Sequence, residues 1–332
     1  MDSVTHIVLG ACVGEVLMDK KAGKKAMLWG ALAQSVPDID FLNGAWMPLT
    51  EELMAHRGIT HSFLFAFLSS LFLALVASRL HKKDAISMSK WVSFFLIEAV
   101  IHIMLDSLNN YGTGLFEPFS SKRIAFNLLY VADPLFTIAP LFVFFFLLFS
   151  RMDHLHRIKW ARIGIWVPIF YCCFALVNKF NIEKSVSKHL THSSIYFTAP
   201  TLLNNFLWTA VIKDSTGFQV GYKSIFGKEE FAFTRFEQNQ NYLDSIHDHQ
   251  EVMDLKLFSQ GFYTLEKWND TLVFNDLRFG QINGWENPSS KFAFHYFLSH
   301  PADNDLVVQR GRFAALNVQS AKVLWTRMFD LK

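Results

Sequence analysis

The sequence predicts a mainly α-helical, polytopic membrane domain over residues 1–178, followed by a smaller soluble α+β domain over residues 179–332. Hydrophobic residues make up 51% of the 332-residue chain and are concentrated in its first half. There they form blocks separated by short basic clusters, which is typical of a membrane protein with several helices. Beyond residue 179 the apolar runs shorten and alternate with polar residues, which favours a water-soluble sheet with accompanying helices.

Six apolar blocks are predicted as the helices of the first domain. The first two are short for complete spans, which need about 20 residues. We therefore expect them to be tilted or to form a helical pair that enters the membrane part of the way. Polar loops are predicted over residues 41–59 and 107–131. The blocks cover residues 4–18, 26–36, 60–78, 91–105, 134–149 and 163–178.

The charges between the blocks predict an orientation. Basic residues are concentrated in the connections 20–25, 79–90 and 151–162, which all fall on one side of the membrane. By the positive-inside rule that side is the cytoplasm. We therefore expect a multi-pass protein of the plasma or inner membrane. The polar candidates for a site then lie at the outer ends of the blocks, and the second domain is extracytoplasmic.

The second domain is predicted to contain a hairpin. Strands over residues 206–213 and 218–226 flank Asp214-Ser215-Thr216-Gly217, a typical turn sequence. Further strands are predicted over residues 231–236, 272–282 and 292–298, and helices over residues 242–258 and 314–329.

Charge and cysteine content exclude some functions. The net charge of +2 gives no reason to expect nucleic acid as a partner. Cys12, Cys172 and Cys173 all fall in apolar blocks, so packing is a better explanation for them than a disulfide framework.

The most unusual polar cluster is His56-Arg57-Gly58-Ile59-Thr60-His61-Ser62, just before the third block. Burying such groups costs several kcal/mol unless they are paired or bound to a ligand, and a metal ion is the simplest ligand. With Thr60 as the helix cap, His61 lies in the first turn and His56 in the loop before it. Arg57 is a candidate for binding a phosphate through two hydrogen bonds.

The fourth block contributes His102 and Asp106, which lie on one helical face, one turn apart. Such a pair can bind one metal ion, as the histidine pair of an HExxH helix does. Glu98 lies a further turn away, and we expect it to orient the imidazole of His102. The alternative is a core histidine beside an aspartate at a helix end. Ionisable residues inside membrane segments favour the functional interpretation.

Asp38 and Asp40 follow Pro37, which ends the second block. In an extended segment alternate side chains point the same way, so the two carboxylates converge and can bridge metal ions. Either can also accept a proton. The alternative is an acidic loop that faces water.

Together these residues predict a metal centre. Seven nitrogen and oxygen ligands exceed what one zinc ion binds and favour two or three divalent ions, zinc being the expected metal, in a hydrolytic site. The predicted ligands are His6, Asp38, Asp40, His56, His61, His102 and Asp106; the predicted catalytic residues are Asp38, Asp40 and Arg57.

Several of these motifs resemble one known family, the membrane-bound metal-dependent hydrolases (YdjM-like). The order and spacing of the motifs agree over residues 1 to about 150. The resemblance implies a helical enzyme akin to zinc-dependent phospholipase C and P1 nuclease, with clustered zinc ions and phosphoester hydrolysis. The motifs are Thr5-His6, Pro37-Asp38-Ile39-Asp40, the stretch from His56 to Ser62, His102-Ile103-Met104-Leu105-Asp106, Asn110-Tyr111-Gly112 and Ala132-Asp133-Pro134-Leu135-Phe136.

We therefore expect a membrane-bound metal-dependent hydrolase that acts on a phosphoester, a lipid among the possible substrates, with membrane lipids as neighbours. Two other classes stay open. A metal or ion transporter needs acceptors spread through the membrane, whereas only Glu98 and His102 lie deep in a block. The ligands also leave open a non-enzymatic membrane regulator or scaffold with a structural metal.

Overall fold

The computed structural model describes residues 1–18, 24–191, 194–245, 249–298, 304 and 317–331. The chain divides into two compact units, one of residues 1–45 and 55–174 and the other of residues 46–54 and 175–332. The N-terminal region is helical, and the C-terminal region contains two antiparallel sheets with a few helices. The predicted fold class is therefore confirmed. Lys20 and Lys21 of the first predicted basic connection lie outside the described residues.

All six predicted blocks are helical. In the described part of the chain, the helices Phe63–Leu80 and Met88–Ser107 and the long helix that begins at His154 are long and apolar enough to cross a membrane, whereas Ser3–Leu17 and Pro134–Phe149 are shorter apolar helices. The helices are α1 (Ser3–Leu17), α2 (Lys25–Ala33), α3 (Leu49–Ala55), α4 (Phe63–Leu80), α5 (Met88–Ser107), α6 (Pro134–Phe149) and α7 (His154–Val186).

Side-chain caps set where several helices begin. Asp2 accepts a hydrogen bond from the backbone N–H of Thr5 at the start of α1, and Asp133 caps α6 in the same way. Ser62 is the cap of α4, where its hydroxyl accepts from the N–H of Phe65. The prediction that Thr60 caps this helix was wrong, because His61 ends a separate 3-10 turn, Ile59–His61.

The segment after α2 also differs from the prediction. Pro37–Ala45 is a 3-10 helix, so Asp38 and Asp40 do not sit in an extended chain, and their side chains do not follow strand alternation. The loop predicted over residues 41–59 contains the end of this 3-10 helix and all of α3.

Helix α4 buries small side chains and exposes large apolar ones, which is the reverse of a soluble helix. This arrangement lets α4 lie close to α5 while its outer face meets lipid. The buried residues are Ala66, Ser70, Ala74 and Ala77, and the exposed ones include Phe67, Leu68, Phe72 and Leu75.

Helices α1 and α2 cross at glycines. A Cβ added to Gly10 lies 2.5 Å from the carbonyl oxygen of Gly30, and a Cβ on Gly30 meets the Gly10 carbonyl even more closely. A Cβ on Gly30 also lies 2.9 Å from Oε1 of Glu98 on α5. Only glycine permits this approach, which places the start of α1 beside the polar residues of α5.

The described C-terminal region contains seven strands and two further α-helices. They are β1 (Ile195–Pro200), β2 (Leu207–Lys213), β3 (Gly217–Ser224), β4 (Ala232–Glu237), α8 (His249–Phe258), β5 (Tyr263–Trp268), β6 (Thr271–Gln281), β7 (Phe292–Phe297) and α9 (Val318–Phe329). The strands form a four-stranded sheet of order β1-β2-β3-β4 and a three-stranded sheet of order β5-β6-β7. The predicted hairpin is β2 and β3, and the Asp214 carboxylate accepts from the N–H groups of Thr216 and Gly217 in its turn.

Strands β1 and β5 were not predicted. The helix predicted over residues 242–258 is shorter and follows a 3-10 segment, Gln240–Ser245, and residues 246–248 lie outside the described residues. The last predicted helix is found over Val318–Phe329, and residues 314–316 are likewise outside the described part.

Candidate metal centre

Four side chains converge at the helix ends that lie away from the basic connections. One ligand atom from each of Asp38, His61, His102 and Asp106 lies within 4.8 Å of the others. His61, His102 and Asp106 are fully buried, while the side chain of Asp38 is 23% exposed. The set therefore has a closed interior and one accessible side, formed by Asp38.

Five separations between these atoms, from 3.0 to 3.5 Å, are close to those around a single ion. Nε2 of His61 lies 3.1 Å from Nε2 of His102 and 3.0 Å from Oδ2 of Asp106. The distance from Nε2 of His102 to Oδ2 of Asp106 is 3.4 Å, and Oδ1 of Asp38 is 3.5 Å from both Nε2 atoms. Ligands about 2.0–2.2 Å from a tetrahedral zinc ion lie about 3.3–3.6 Å apart. The residues therefore fit one such ion.

The hydrogen bonds of the two imidazoles give both Nε2 atoms a lone pair. Nδ1 of His102 lies 2.6 Å from the backbone carbonyl oxygen of Gln34, which can only accept, so the proton is on Nδ1. Nδ1 of His61 lies 3.0 Å from the hydroxyl of Thr60; this hydroxyl donates its own proton to Oδ2 of Asp40, so it accepts from Nδ1. Two lone pairs and two carboxylates therefore face one point, where a cation removes their mutual repulsion.

Asp40 lies outside the four-residue set and stabilises the turn that carries His61. Its Oδ2 accepts from the backbone N–H of Arg57 at 2.8 Å and from the hydroxyl of Thr60 at 3.1 Å, and its Oδ1 lies 3.2 Å from Nδ1 of His56. Both oxygens are thus engaged with the 56–61 turn. Asp38 and Asp40 do not converge on one point as predicted. Asp38 lies near Nε2 of His61, within the four-residue set, whereas Asp40 lies near Nδ1 on the other side of the ring.

His6 lies beside the four-residue set. Its ring stacks on that of His102 with centroids 3.8 Å apart, and its Nε2 is 3.2 Å from Oδ1 of Asp106. The same Oδ1 contacts the amino group of Met1. Asp106 therefore presents Oδ2 to the two other histidines and Oδ1 to His6.

Arg57 is not free to grip a phosphate as predicted, because its side chain is engaged inside the protein. Its Nε lies 3.3 Å from Oδ2 of Asp106, Nη1 donates to Oδ1 of Asn109 at 2.9 Å, and Nη2 donates to the Met1 carbonyl at 3.3 Å. Its guanidinium also lies over the ring of Tyr111. Only 4% of Arg57 is exposed, so its charge stabilises Asp106 from within.

The remaining predicted ligand, His56, is not part of the four-residue set. Its side chain is 33% exposed, its ring meets Tyr111 edge-on, and its backbone carbonyl accepts from Nη2 of Arg123. His56 therefore supports Asp40 at the rim, and Arg123 fixes the loop that carries it.

Protonation of Asp40, His56 and Arg57, which lie outside the long apolar helices, follows from these contacts. Burial raises the pKa of the Asp40 carboxyl, but the donors from His56 and His61 outweigh burial and hold it well below its usual range. Burial lowers the pKa of His56, which keeps that imidazole neutral. Burial also lowers the pKa of Arg57 to about 10, so it remains a cation at neutral pH.

Glu98 was predicted to contact and orient the imidazole of His102, but it acts through Gln34. It does not contact His102 directly; its Oε2 accepts a hydrogen bond of 2.8 Å from the side chain of Gln34, whose carbonyl holds His102. Both Glu98 and Gln34 are fully buried. The sequence could not identify Gln34 as the partner of His102, because the contact is made by its backbone carbonyl, which every residue type has.

Two later motif residues have structural roles. Asn109, next to the Asn110-Tyr111-Gly112 motif, holds both Arg57 and the backbone N–H of Tyr111. Asp133 caps α6 and accepts a hydrogen bond of 2.8 Å from the hydroxyl of Tyr171. Burial raises the pKa of Asp133.

Comparisons with known proteins identify a family of membrane proteins. The family described as YdjM inner membrane protein matches residues 1–182. YfhP of Bacillus subtilis (strain 168), described as uncharacterized, is 31% identical over 153 residues, or 42% of this chain and 44% of that protein. Inner membrane protein YbcI of Escherichia coli (strain K12) is 28% identical over 122 residues, or 36% of this chain and 69% of that protein. The chain thus spans less than half the length of YfhP. No solved structure matches it.

Proposed function

This chain belongs to the YdjM inner membrane protein family, and on that premise we propose that it is a membrane-bound, metal-dependent hydrolase acting on a phosphoester. The observation that carries the proposal is the set of two lone pairs and two carboxylates converging within a buried cluster. Such a cluster is costly to keep in a membrane protein without a bound cation. We place the site on the extracytoplasmic side, as the basic connections predict.

The four residues would have two different functions, metal binding and proton transfer. His61, His102 and Asp106 are fully buried and would hold the ion, leaving Asp38 on the accessible side. Catalytic zinc sites commonly have three protein ligands and one position open to water or substrate. Asp38 would then accept the proton of the attacking water, its carboxylate oxygen 3.5 Å from both imidazoles.

A divalent ion bound there would supply Lewis acidity, which polarises a phosphoryl oxygen and makes water easier to ionise. The complete ligand set described above serves one ion. A second ion, as the sequence predicts, would have to use His6 and Oδ1 of Asp106, which lie 3.2 Å apart, and would displace the Met1 amino group from that oxygen. Metal stoichiometry therefore tests the predicted two or three ions directly.

A second candidate is a membrane regulator or scaffold that uses the same metal for stability. The specific observation in its favour is the presence of four protein ligands at tetrahedral spacing, because structural zinc sites are closed in this way. The two candidates differ in what Asp38 does. A structural role makes it a ligand, and a hydrolytic role makes it a base on an open side.

The experiment compares the full-length protein with Asp38→Asn and with Glu51→Gln, a matched change of an exposed carboxylate. Each is purified in detergent and assayed for bound metal and for hydrolysis of a panel of phosphomonoesters, phosphodiesters and phospholipids. The hydrolase proposal predicts that Asp38→Asn keeps its metal and loses turnover by 100-fold or more, within the roughly 10²–10⁴-fold range of proton-transfer catalysis. Wild-type protein with full metal and no turnover on any substrate would contradict it and favour the structural role.

A further inference from the structure

A groove and a pocket meet at the opposite end of the first unit from the metal centre. Glu15 lies nine residues after His6 on α1, or roughly 13 Å along the helix. The pocket lined by Glu15 is therefore separate from the metal site. Neither feature is used by the proposed reaction.

The groove is apolar and runs along the exposed face of α6. It has a volume of about 590 Å³ and is lined by Ile138, Leu141, Phe142, Phe145, Phe146, Phe149 and Ser150. Phe142 and Phe146 stack with ring centroids 5.9 Å apart, and Trp160 of α7 packs on Phe146 at 4.7 Å. Such a surface suits a hydrocarbon chain.

The pocket is polar and basic, with a volume of about 260 Å³. Its lining residues are Glu15, Lys24, Ser150, Arg151, Met152, His154 and Arg157. Arg157 donates to both carboxylate oxygens of Glu15, at 2.7 and 2.8 Å, which neutralises the acid that lines the pocket. Lys24 and Arg151 form no ion pair with a carboxylate in the described part of the chain. The pocket therefore has an excess of positive charge.

Ser150 joins the two features, since it lines both. Its hydroxyl is buried and finds no hydrogen-bond partner among the described residues. Lys24 is tethered nearby, because its ammonium donates to the carbonyl of Leu148 at 2.8 Å. A polar group that accepts hydrogen bonds and carries negative charge would satisfy this junction, while an apolar chain attached to it fills the groove.

We propose that this groove and pocket bind one anionic phospholipid, with the phosphate between Lys24, Ser150 and Arg151 and an acyl chain along α6. The charge complementarity and the continuity of the two cavities at Ser150 carry the assignment. In the orientation that the basic connections predict, the pocket opens at the cytoplasmic leaflet, which carries anionic lipids. The proposal is independent of the hydrolase activity.

The test uses full-length protein in detergent with an equimolar mixture of dioleoyl phosphatidylglycerol and dioleoyl phosphatidylcholine, which share their chains. Native mass spectrometry measures which lipid is retained. The variant Lys24→Gln/Arg151→Gln removes the two cations of the pocket. The control Lys159→Gln/Arg162→Gln removes two exposed cations of α7 that do not line it.

We expect wild-type protein and the control to retain phosphatidylglycerol preferentially. Each cation near a membrane surface contributes roughly fivefold to the binding of an anionic lipid, so the pocket variant should retain the two lipids about equally. Phe142→Ala/Phe145→Ala, which opens the groove, should lower the retention of both. Equal retention by the wild type, or an equal loss of preference in the control, would overturn the proposal. Displacement of the lipid by free glycerol phosphate at equal concentration would overturn it too, because the pocket would then bind a phosphate without the chain.

Discussion

The side-chain amide of Gln34 donates a hydrogen bond of 2.8 Å to Glu98, while the backbone carbonyl of the same Gln34 accepts the Nδ1 proton of His102. Glu98 thus holds Gln34 in place, and the backbone carbonyl of Gln34 orients the imidazole of His102. Residues that orient a metal ligand in this way commonly affect metal affinity by roughly 10–100-fold.

The first prediction concerns this chain of contacts. Glu98→Ala leaves the buried amide of Gln34 without an acceptor, at a cost of about 1–3 kcal/mol, and lets His102 move. We expect its zinc affinity to fall by at least about tenfold, measured by competition with a chromophoric chelator. Glu98→Gln keeps an acceptor oxygen and should bind zinc close to the wild-type affinity. Equal losses in both variants would show that the charge of Glu98, not its hydrogen bond, matters.

The second prediction separates Asp40 from the ligands. Asp40→Asn weakens the hold on Nδ1 of His61 but removes no atom from the four-residue set. It should lower zinc affinity by roughly 10–100-fold and still reach wild-type metal content at excess zinc. Asp106→Asn exchanges a carboxylate ligand for a weaker amide and should not reach it. If Asp40→Asn also stays empty at excess zinc, Asp40 is itself a ligand, as its position in the sequence suggested.

The third prediction concerns the crossing of α1 and α2. Gly30→Ala places a methyl group against the carbonyl of Gly10 and near Glu98, so the helices must separate. Overpacking of this kind costs about 1–3 kcal/mol and should lower the thermal midpoint. Because the methyl group also meets Glu98, which holds Gln34 and through it His102, metal affinity should fall as well. Leu28→Ala, at a 70% exposed position of the same helix, is the control and should change neither quantity.

The fourth prediction concerns orientation. A reporter fused after Lys83 or after Arg157, both in basic connections, should be cytoplasmic by the positive-inside rule. A reporter fused after Lys332 should be extracytoplasmic. Alkaline phosphatase and green fluorescent protein fusions read the two sides with opposite signals. A cytoplasmic C-terminal reporter would place the metal centre on the other side of the membrane.

The helical part of the fold could be predicted because its signals are local. Residues 134–149 form α6 with the expected bounds, since Pro134 begins the helix and a charge-free run continues to Phe149. The hairpin of β2 and β3 follows from Asp214 and Gly217 at its turn. Strand β5 was missed although Asn269 and Asp270 mark the turn after it, because its Glu266 and Lys267 weaken the apolar alternation.

The candidate site was predicted in composition but not in arrangement. The i, i+4 pair of His102 and Asp106 depends on helix geometry alone, and the structure brings its atoms to 3.4 Å. The separate roles of Asp38 and Asp40 depend on a 3-10 turn that strand reasoning does not anticipate. The engagement of Arg57 depends on Asn109 and Met1, which are remote in sequence.

The central claim is that His61, His102 and Asp106 hold a metal ion beside the carboxylate of Asp38. The most direct measurement is metal per chain in purified wild-type and His102→Ala protein, together with the thermal midpoint of each. Alanine is milder than histidine in a membrane segment, so the variant should insert at normal levels. The account predicts at least one bound divalent ion in the wild type and a large loss in His102→Ala. Unchanged metal content with a lowered midpoint in the variant would contradict it and make His102 a structural residue.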